Sequence, residues 1–463
     1  MFPSETYIAR RIKLKQKIRS GIILLPGNSE SPVNYAGNTY PFRQDSSFLY
    51  YIGLDTPGLT AVIDVDQGRE CIYGDELTID DLVWIGPRMS LQQQCQQAGI
   101  RQIEPSERLE PMLRSVVRSG RKVHFLPPYR AEVVCIIARL LGVEPSAVTG
   151  LASVDLIKAV VAQRSVKDKD EIDEIETALG ITYEMQLLAM KAPKVGRYER
   201  QISAEIEGLV LAEGVRLAFQ TIFTIHGQTL HQLDYGNQMK LGDIAVNDCG
   251  AQSHLHYAGD ITRTIPIGAK FSQRQKEIYA VVLNAQQRVI RMLKPGIEYR
   301  DVHRRACIEL MAGLKDLNLV KGDPEEIVQT GAHTLFFPHG IGHMLGLDVH
   351  DMEALGEDYV GYSDKVQRNT EFGWRWLRLA KALEPGYVVT VEPGIYFIPE
   401  LIDLWKAEHK CSDYINYNQL EKYRDFGGVR VEDDVLVTDT GCRILGKSIP
   451  RTIEEVEAAC STD

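Results

Sequence analysis

Two aspartates, Asp248 and Asp260, lie twelve positions apart in the stretch DCGAQSHLHYAGDITRT. Asp248 closes the strand-like run Ile244, Ala245, Val246, and Asp260 leads into a second run that reaches Ile267. Two such runs joined by a Gly-containing connection predict a hairpin. A hairpin with Asp at matched places on its strands aims two carboxylates at one point. Carboxylates left close together repel, so a proton or a cation must sit between them. Read singly, Asp248 is a turn residue and Asp260 a strand-end cap, and only the rest of the chain decides between the two accounts.

Three further stretches carry related chemistry. His339, His343 and His350 fall within HGIGHMLGLDVHD, three of the chain's 11 histidines in one Gly-rich segment. Glycine lets backbone approach closely, while imidazoles ligate metals and carry protons. Glu392 ends the apolar run of VVTVEPGIY, where a buried carboxylate is costly unless it is paired or metal-bound. Glu432 lies in GGVRVEDDVLV, and strand alternation puts it on one face with Arg430. The next residues, Asp433 and Asp434, read as solvated or turn-starting. Two Asp, one His and two Glu make a mostly oxygen donor set with four negative charges. That set suits two divalent ions of Mn, Fe, Co or Zn type sharing carboxylates, and suits calcium or a structural zinc poorly. Two adjacent metals lower the pKa of a shared water, which points to metal-assisted hydrolysis.

The elements that must position these residues are legible in outline. In the first part of the chain, strand-like runs at 22–25, 61–65 and 123–126 alternate with helical runs at 6–19, 91–98, 109–119 and 131–140. This alternation predicts a small α/β domain with a mostly parallel sheet. The charge-dense run QRSVKDKDEIDEIETA reads as a linker entering the first helix of a second domain. Beyond it, helices are expected at 199–213, 272–293 and 299–317, the second opened by a Ser272–Gln275 capping box. Strands are expected at 244–248, 261–267, 387–392 and 429–437. The like pieces LKPG (293–296) and LEPG (383–386) hint at two related halves.

Composition bounds the rest. With 463 residues, 44% hydrophobic and 25% charged, the chain is expected to be globular with two or three domains. A net charge of −11 without a basic block argues against a nucleic-acid partner. The eight cysteines contain no CxxC pair and suggest reduced thiols in a cytoplasmic compartment. A charged N-terminus without an apolar core is no secretory signal, and no apolar stretch has membrane-spanning length.

Taken in order, DCG…DITRT, HGIGHMLGLDVHD, TVEPGIYF and GGVRVEDD resemble the proline-specific metallopeptidases of the pita-bread fold, the aminopeptidase P and prolidase family. The resemblance covers nearly the whole chain. YPFRQDSSFLYYIG looks like the aminopeptidase P N-terminal domain, RSVKDKDEIDEI like the domain junction, and IPRTIEEVEA like prolidase tails. It implies an α/β N-terminal domain over 1–165 plus an α+β pita-bread-fold catalytic C-terminal domain over 166–463. The metal ligands it implies are Asp248, Asp260, His343, Glu392 and Glu432. His343 is selected because the family ligand precedes a second active-site histidine by seven residues, as His343 precedes His350. His339 then stands behind the metal shell or against the substrate.

The resemblance also implies His231, in TLHQ, and His350 as substrate-side catalytic histidines. Glu392 would be the proton shuttle, and Arg430 would hold its neighbours or the substrate. The implied activity is an Xaa-Pro aminopeptidase acting on peptides with proline second, through a hydroxide shared by two divalent ions. Manganese is the first expectation for these ions, with cobalt, zinc or iron as alternatives, and a homodimer is common among such proteins. Arg378, in WLRLAKALEPG, matches an arginine that prolidases use to grip a dipeptide carboxylate, so an Xaa-Pro dipeptidase is the alternative. Non-catalytic peptide-binding relatives lose metal ligands, whereas all five positions are filled here. One departure stands out: the two Asp are one residue further apart than in the family, and Cys249 replaces a usual Ala. A bulge or longer turn is expected to absorb the extra residue. A shifted register would instead turn Asp260 away.

Overall fold

The computed structural model describes residues 1–461. The chain forms two compact units, one of Met1–Arg164 with Glu353–Tyr359, the other of Ser165–Met352 with the chain from Val360 onward. The domain boundary falls where the sequence predicts it, but one short segment crosses it. The excursion Glu353–Tyr359, short helical turns without a strand or core pattern of their own, clusters with the first unit instead.

In the first unit, β1 (Ile22–Pro26), β4 (Thr60–Asp64), β5 (Arg69–Tyr73), β6 (Gln102–Glu104) and β7 (Val123–His124) form a five-stranded sheet in the order β6-β5-β4-β1-β7. A separate small hairpin joins β2 (Pro32–Tyr35) to β3 (Asn38–Thr39). The main sheet is mixed rather than mostly parallel: β1–β7 and β5–β6 are parallel, while β1–β4 and β4–β5 are antiparallel. For β4–β5 the reason is their connection, a tight turn closed by Gln67 N–H donating to Asp64 Oδ1 at 3.0 Å. Only antiparallel strands can be joined so briefly. Leu24, Val62, Leu113, Phe125 and Ile137 fill the core under this sheet.

In the second unit, β8 (Ile222–Thr224), β9 (Ile244–Cys249) and β10 (Ile261–Pro266) form one antiparallel sheet. A second sheet joins β11 (Val388–Val391), β14 (Asp433–Val437) and β15 (Cys442–Ile444), and a third pairs β12 (Gly394–Tyr396) with β13 (Gly428–Arg430). The expected strand at 429–437 is therefore broken. Val431 N–H still bonds in register to Pro393 O at 3.4 Å, but proline has no N–H to return the bond, and Glu432 N–H turns away to Thr262 O at 3.0 Å, so the ladder stops at Glu432. The Ser272–Gln275 capping box does open the helix Gln273–Ile290.

Two related halves are present, but LKPG and LEPG are not each other's counterparts; they are bonded partners. Gly296 N–H donates to Leu383 O at 2.8 Å and Leu383 N–H to Ile297 O at 2.9 Å. The same pattern recurs in the other half, where Gly196 N–H donates to Met239 O and Met239 N–H to Arg197 O, both at 2.9 Å. In each case a turn that starts a helix is clamped to the segment that starts a sheet strand. Among the described residues no single helix is long and apolar enough to cross a membrane.

Candidate metal centre

The hairpin of β9 and β10 sets Thr262 opposite Asp248. The same register continues to a bridge between Gln252 and Ala258, so no bulge interrupts it. The extra residue is taken up in the loop at 253–257, where Ser253 N–H donates to Tyr257 O at 2.8 Å and His256 adopts φ 68°. Asp260 lies two positions before Thr262 and therefore faces the same side as Asp248. Gly250 permits this closeness: a Cβ there would stand 1.8 Å from Gly259 O.

The other pair of carboxylates comes from β11–β12 and β13–β14. The β11–β14 and β12–β13 ladders share one register, which sets Glu392 opposite Glu432 in the gap between them. Glu432 is thus not a mid-strand residue, as alternation suggested, but sits in the break between two in-register ladders. Its Oε2 accepts from Thr262 Oγ1 at 2.7 Å.

His343 arrives from the Gly-rich loop. Its N–H donates to Thr390 Oγ1 at 3.1 Å, and its Nδ1 donates to Met344 O at 3.0 Å. That fixes the tautomer and leaves the Nε2 lone pair for a ligand. Nε2 lies 3.5 Å from Asp260 Oδ2 and 3.6 Å from Glu392 Oε1. Gly342 is required here, because a Cβ would stand 2.0 Å from Thr390 O.

Asp260, His343 and Glu432 each offer a donor atom within 4.8 Å of the others, and all three are buried. Glu392 adjoins them through His343. Asp248 is turned partly aside: its Oδ2 accepts from Arg430 Nη2 at 2.6 Å, while its Oδ1 is buried without a partner. Asp260 Oδ1 is likewise buried and unpartnered. Burial, then the charge of Asp248, pushes the Asp260 carboxyl well above the usual range; burial and Asp260 do the same to Glu432. Glu392 is also raised, by burial first. Crowded acids of this kind share protons or hold cations. Buried lone pairs with no donor and an imidazole nitrogen aimed among them fit divalent metal.

The remaining candidates surround this cluster. His339 donates from Nδ1 to Gly340 O at 2.8 Å and accepts at Nε2 from Tyr396 Oη, also at 2.8 Å. Burial and Arg430 push its pKa down to about 3, so it is a neutral hydrogen-bonding residue. His350 packs on His343 with ring centroids 4.0 Å apart. His231 is the most exposed of the group, yet burial of its ring and then Arg430 lower its pKa, with Asp248 and His350 also acting on it. Arg378 is half-buried and close enough to act on His231, His339 and Glu392.

Four contributors escaped the sequence reading. Asp434, expected in solvent, is fully buried: its Oδ2 accepts from Asp260 N–H at 3.0 Å, and burial raises its pKa well above the usual range. Asp433 is also buried and accepts from Arg263 Nη2 at 2.7 Å. A continuous apolar run after EDD was the available signal, since it draws the acids into β14. Thr262 shares a strand face with Asp260 and could have been found by alternation. Tyr396, which accepts from Arg430 Nη1 at 3.0 Å, had no local signal.

The model of metallopeptidase family M24 matches residues 173–439, and that of the aminopeptidase P N-terminal domain matches residues 7–124. The human Xaa-Pro dipeptidase is 31% identical, over 97% of this chain and 91% of that protein. A probable Xaa-Pro aminopeptidase of Aspergillus clavatus is 30% identical, over 97% and 95%. Among solved structures, Escherichia coli aminopeptidase P with the inhibitor Pro-Leu superposes with a TM-score of 0.81 at 27% identity, covering 99% of this chain and 98% of that one. The aminopeptidase PepP of Pseudomonas aeruginosa gives 0.80 at 26% identity, covering 100% and 98%. The α/β N-terminal unit and the pita-bread unit are those of this group, and the chain belongs to metallopeptidase family M24.

Proposed function

We propose that the protein is an Xaa-Pro aminopeptidase, removing the N-terminal residue from peptides whose second residue is proline. The observation that carries this reading is the convergence of Asp260, His343 and Glu432 within 4.8 Å, flanked by Glu392 and Asp248. These five side chains would hold two divalent ions, manganese first, with cobalt, zinc or iron as alternatives. When bound, such ions supply the Lewis acidity that makes a water nucleophilic near neutral pH.

The chain's own groups supply the rest. Glu392, a carboxyl of raised pKa beside neutral His339, takes the proton of the attacking water and passes it to the departing proline nitrogen. His231 and His350 orient the scissile carbonyl and donate to its oxygen as charge develops there. Arg430 holds Asp248, and Arg378 supplies positive charge at the edge of the site. Proline's nitrogen carries no N–H, so recognition must rest on shape and on the carbonyls around it. The eight unpaired cysteines fit a reducing compartment such as the cytoplasm.

A second reading is favoured by Arg378, whose charge reaches Glu392 and His339 as a clamp for a dipeptide carboxylate would. It makes the protein an Xaa-Pro dipeptidase, the name carried by the human, rat and mouse relatives. Hydrolysis of an Xaa-Pro dipeptide against an Xaa-Pro-Xaa tripeptide, after loading with each metal, separates the two. The aminopeptidase reading expects turnover of the tripeptide; cleavage of the dipeptide alone reverses it. Substoichiometric metal together with no metal-stimulated activity would instead point to a peptide-binding role.

A further inference from the structure

Outside the carboxylate centre, one other group among the described residues brings metal-type donors together: His303, Cys307 and His333. Their donor atoms lie within 4.8 Å of one another, and all three residues are buried. His303 and Cys307 sit one helical turn apart on the helix Tyr299–Asp316, hence on one face. His333 comes from the 3-10 turn Ala332–Leu335. His303 Nε2 stands 3.6 Å from Cys307 Sγ. Bonds of ~2.3 Å to sulfur and ~2.0 Å to nitrogen at a tetrahedral angle need a separation of roughly 3.5 Å, close to that observed.

Hydrogen bonding accounts for this cluster only in part: Cys307 Sγ and His303 Nε2 share one long hydrogen bond. Nδ1 of His303 and Nδ1 of His333 are both buried without a partner, a condition folded proteins avoid. The surroundings are aromatic: Trp374 meets the two imidazoles edge-on at 5.0 and 5.5 Å, and Phe337 packs 5.6 Å from His303. Burial holds His303 well below its usual pKa and pushes His333 down to about 4, so both rings are neutral. Neutral imidazole is the form that ligates.

We propose that His303, Cys307 and His333 form a metal site separate from the carboxylate centre, taking a thiophilic d10 cation, copper(I) or zinc(II). Two imidazoles and a thiolate select such ions over the oxygen-seeking ones. On binding, the S–H bond of Cys307 breaks, its proton leaves to solvent and a sulfur–metal bond forms, with no change of oxidation state. Burial raises the free thiol's pKa, so the ion itself must drive that loss, as coordinated metals do. Charge orders the two candidates. Copper(I) with one thiolate closes at zero charge, whereas zinc(II) leaves one positive charge, and no carboxylate is among the charges acting on these three residues. A bound ion ties the helix to the segment that carries Phe337, whose ring meets His339 edge-on at 4.7 Å.

The test uses the full chain carrying Asp260→Asn and Glu432→Gln, which disables the carboxylate centre. It is titrated anaerobically with copper(I) and, in a separate arm, with zinc(II), then desalted for elemental analysis and melting. The expected result is a single retained equivalent of copper(I) and a raised Tm. Both are lost on adding Cys307→Ala or, as an independent variant, His333→Phe, with circular dichroism unchanged. Cobalt(II) should give a thiolate charge-transfer band only while Cys307 is present. In the otherwise unsubstituted protein, Cys307→Ala alone should remove the same equivalent. Retention of zinc rather than copper supports the site with zinc as its ion. No stoichiometric retention of either ion, or retention undiminished in both variants, overturns the proposal.

Discussion

In the first half of the catalytic unit β9 ends around Asp248; in the second, β11 is followed at once by Glu392. Matching hydrogen bonds align the two halves. Ile267 N–H donates to Asp243 O at 2.8 Å, and Val437 N–H donates to Tyr387 O at 2.8 Å. Carried along the two registers, this alignment makes Asp248 the counterpart of Glu392. It does not pair the other two acids. Glu432 corresponds to Thr262, and Asp260 corresponds to Arg430. The second carboxylate has moved by two residues along its strand between the halves, staying on the same face.

The residues left at the vacated positions then meet. Thr262 Oγ1 donates to Glu432 Oε2 at 2.7 Å and accepts from Arg430 Nε at 3.2 Å. Arg430 Nη2 reaches Asp248 at 2.6 Å. A strictly repeated pair of hairpins would stack like charges on like. The displacement puts a cation and a hydroxyl among four acids and makes the two ends of the centre unlike.

The largest expected effect comes from removing either displaced acid. Asp260→Asn and Glu432→Gln should each lower kcat/KM by about a thousandfold or more, ~4 kcal/mol of transition-state stabilisation. Metal content should fall with activity while circular dichroism stays unchanged. Full activity in Asp260→Asn would mean the ligand set is misassigned, and unequal losses would show that one half dominates. Arg430→Met comes next, because it strips the charge that orients Asp248. Metal affinity should drop by about 10–100-fold, read by competition with a chelator. Thr262→Val keeps the shape and removes one hydroxyl that serves both Arg430 and Glu432. A cost of ~1–2 kcal/mol in metal binding is expected, and no change would reduce the Thr262 link to packing.

The smallest effect is a pH dependence of the metal-stripped protein. Asp260 and Glu432 have raised folded-state pKa values. Their contribution to stability is therefore complete below the unfolded carboxyl pKa of about 4 and is lost as pH rises through the folded values. Divalent metal replaces the shared protons and removes that loss. The rise in Tm on adding metal should thus grow with pH. A metal-induced shift that is flat across pH would mean the acids are not sharing protons.

Much of this centre was legible because each ligand sits in a local pattern: a hairpin for the Asp pair, a Gly-rich loop for His343, a strand end for Glu392. What the pattern could not show is where a ladder is interrupted. Alternation from Arg430 placed Glu432 within a continuous strand, whereas a hydrogen bond from its own N–H to Thr262 O breaks the ladder there. Asp433 and Asp434 looked solvated for the same reason; their burial depends on Arg263 and on Asp260 N–H, far away in sequence. In the N-terminal unit, the short charged strand Arg69–Tyr73 hid the antiparallel pair that makes the sheet mixed.

The hydrogen bond between Thr262 and Glu432 joins residues 170 positions apart. At ribosomal rates that interval of chain takes roughly ten to thirty seconds to appear. Throughout it the residues of the Asp248–Asp260 hairpin have been made without the acid that completes their site. The full set of carboxylates can therefore come together only after the later strand has been made, an order set by chain connectivity.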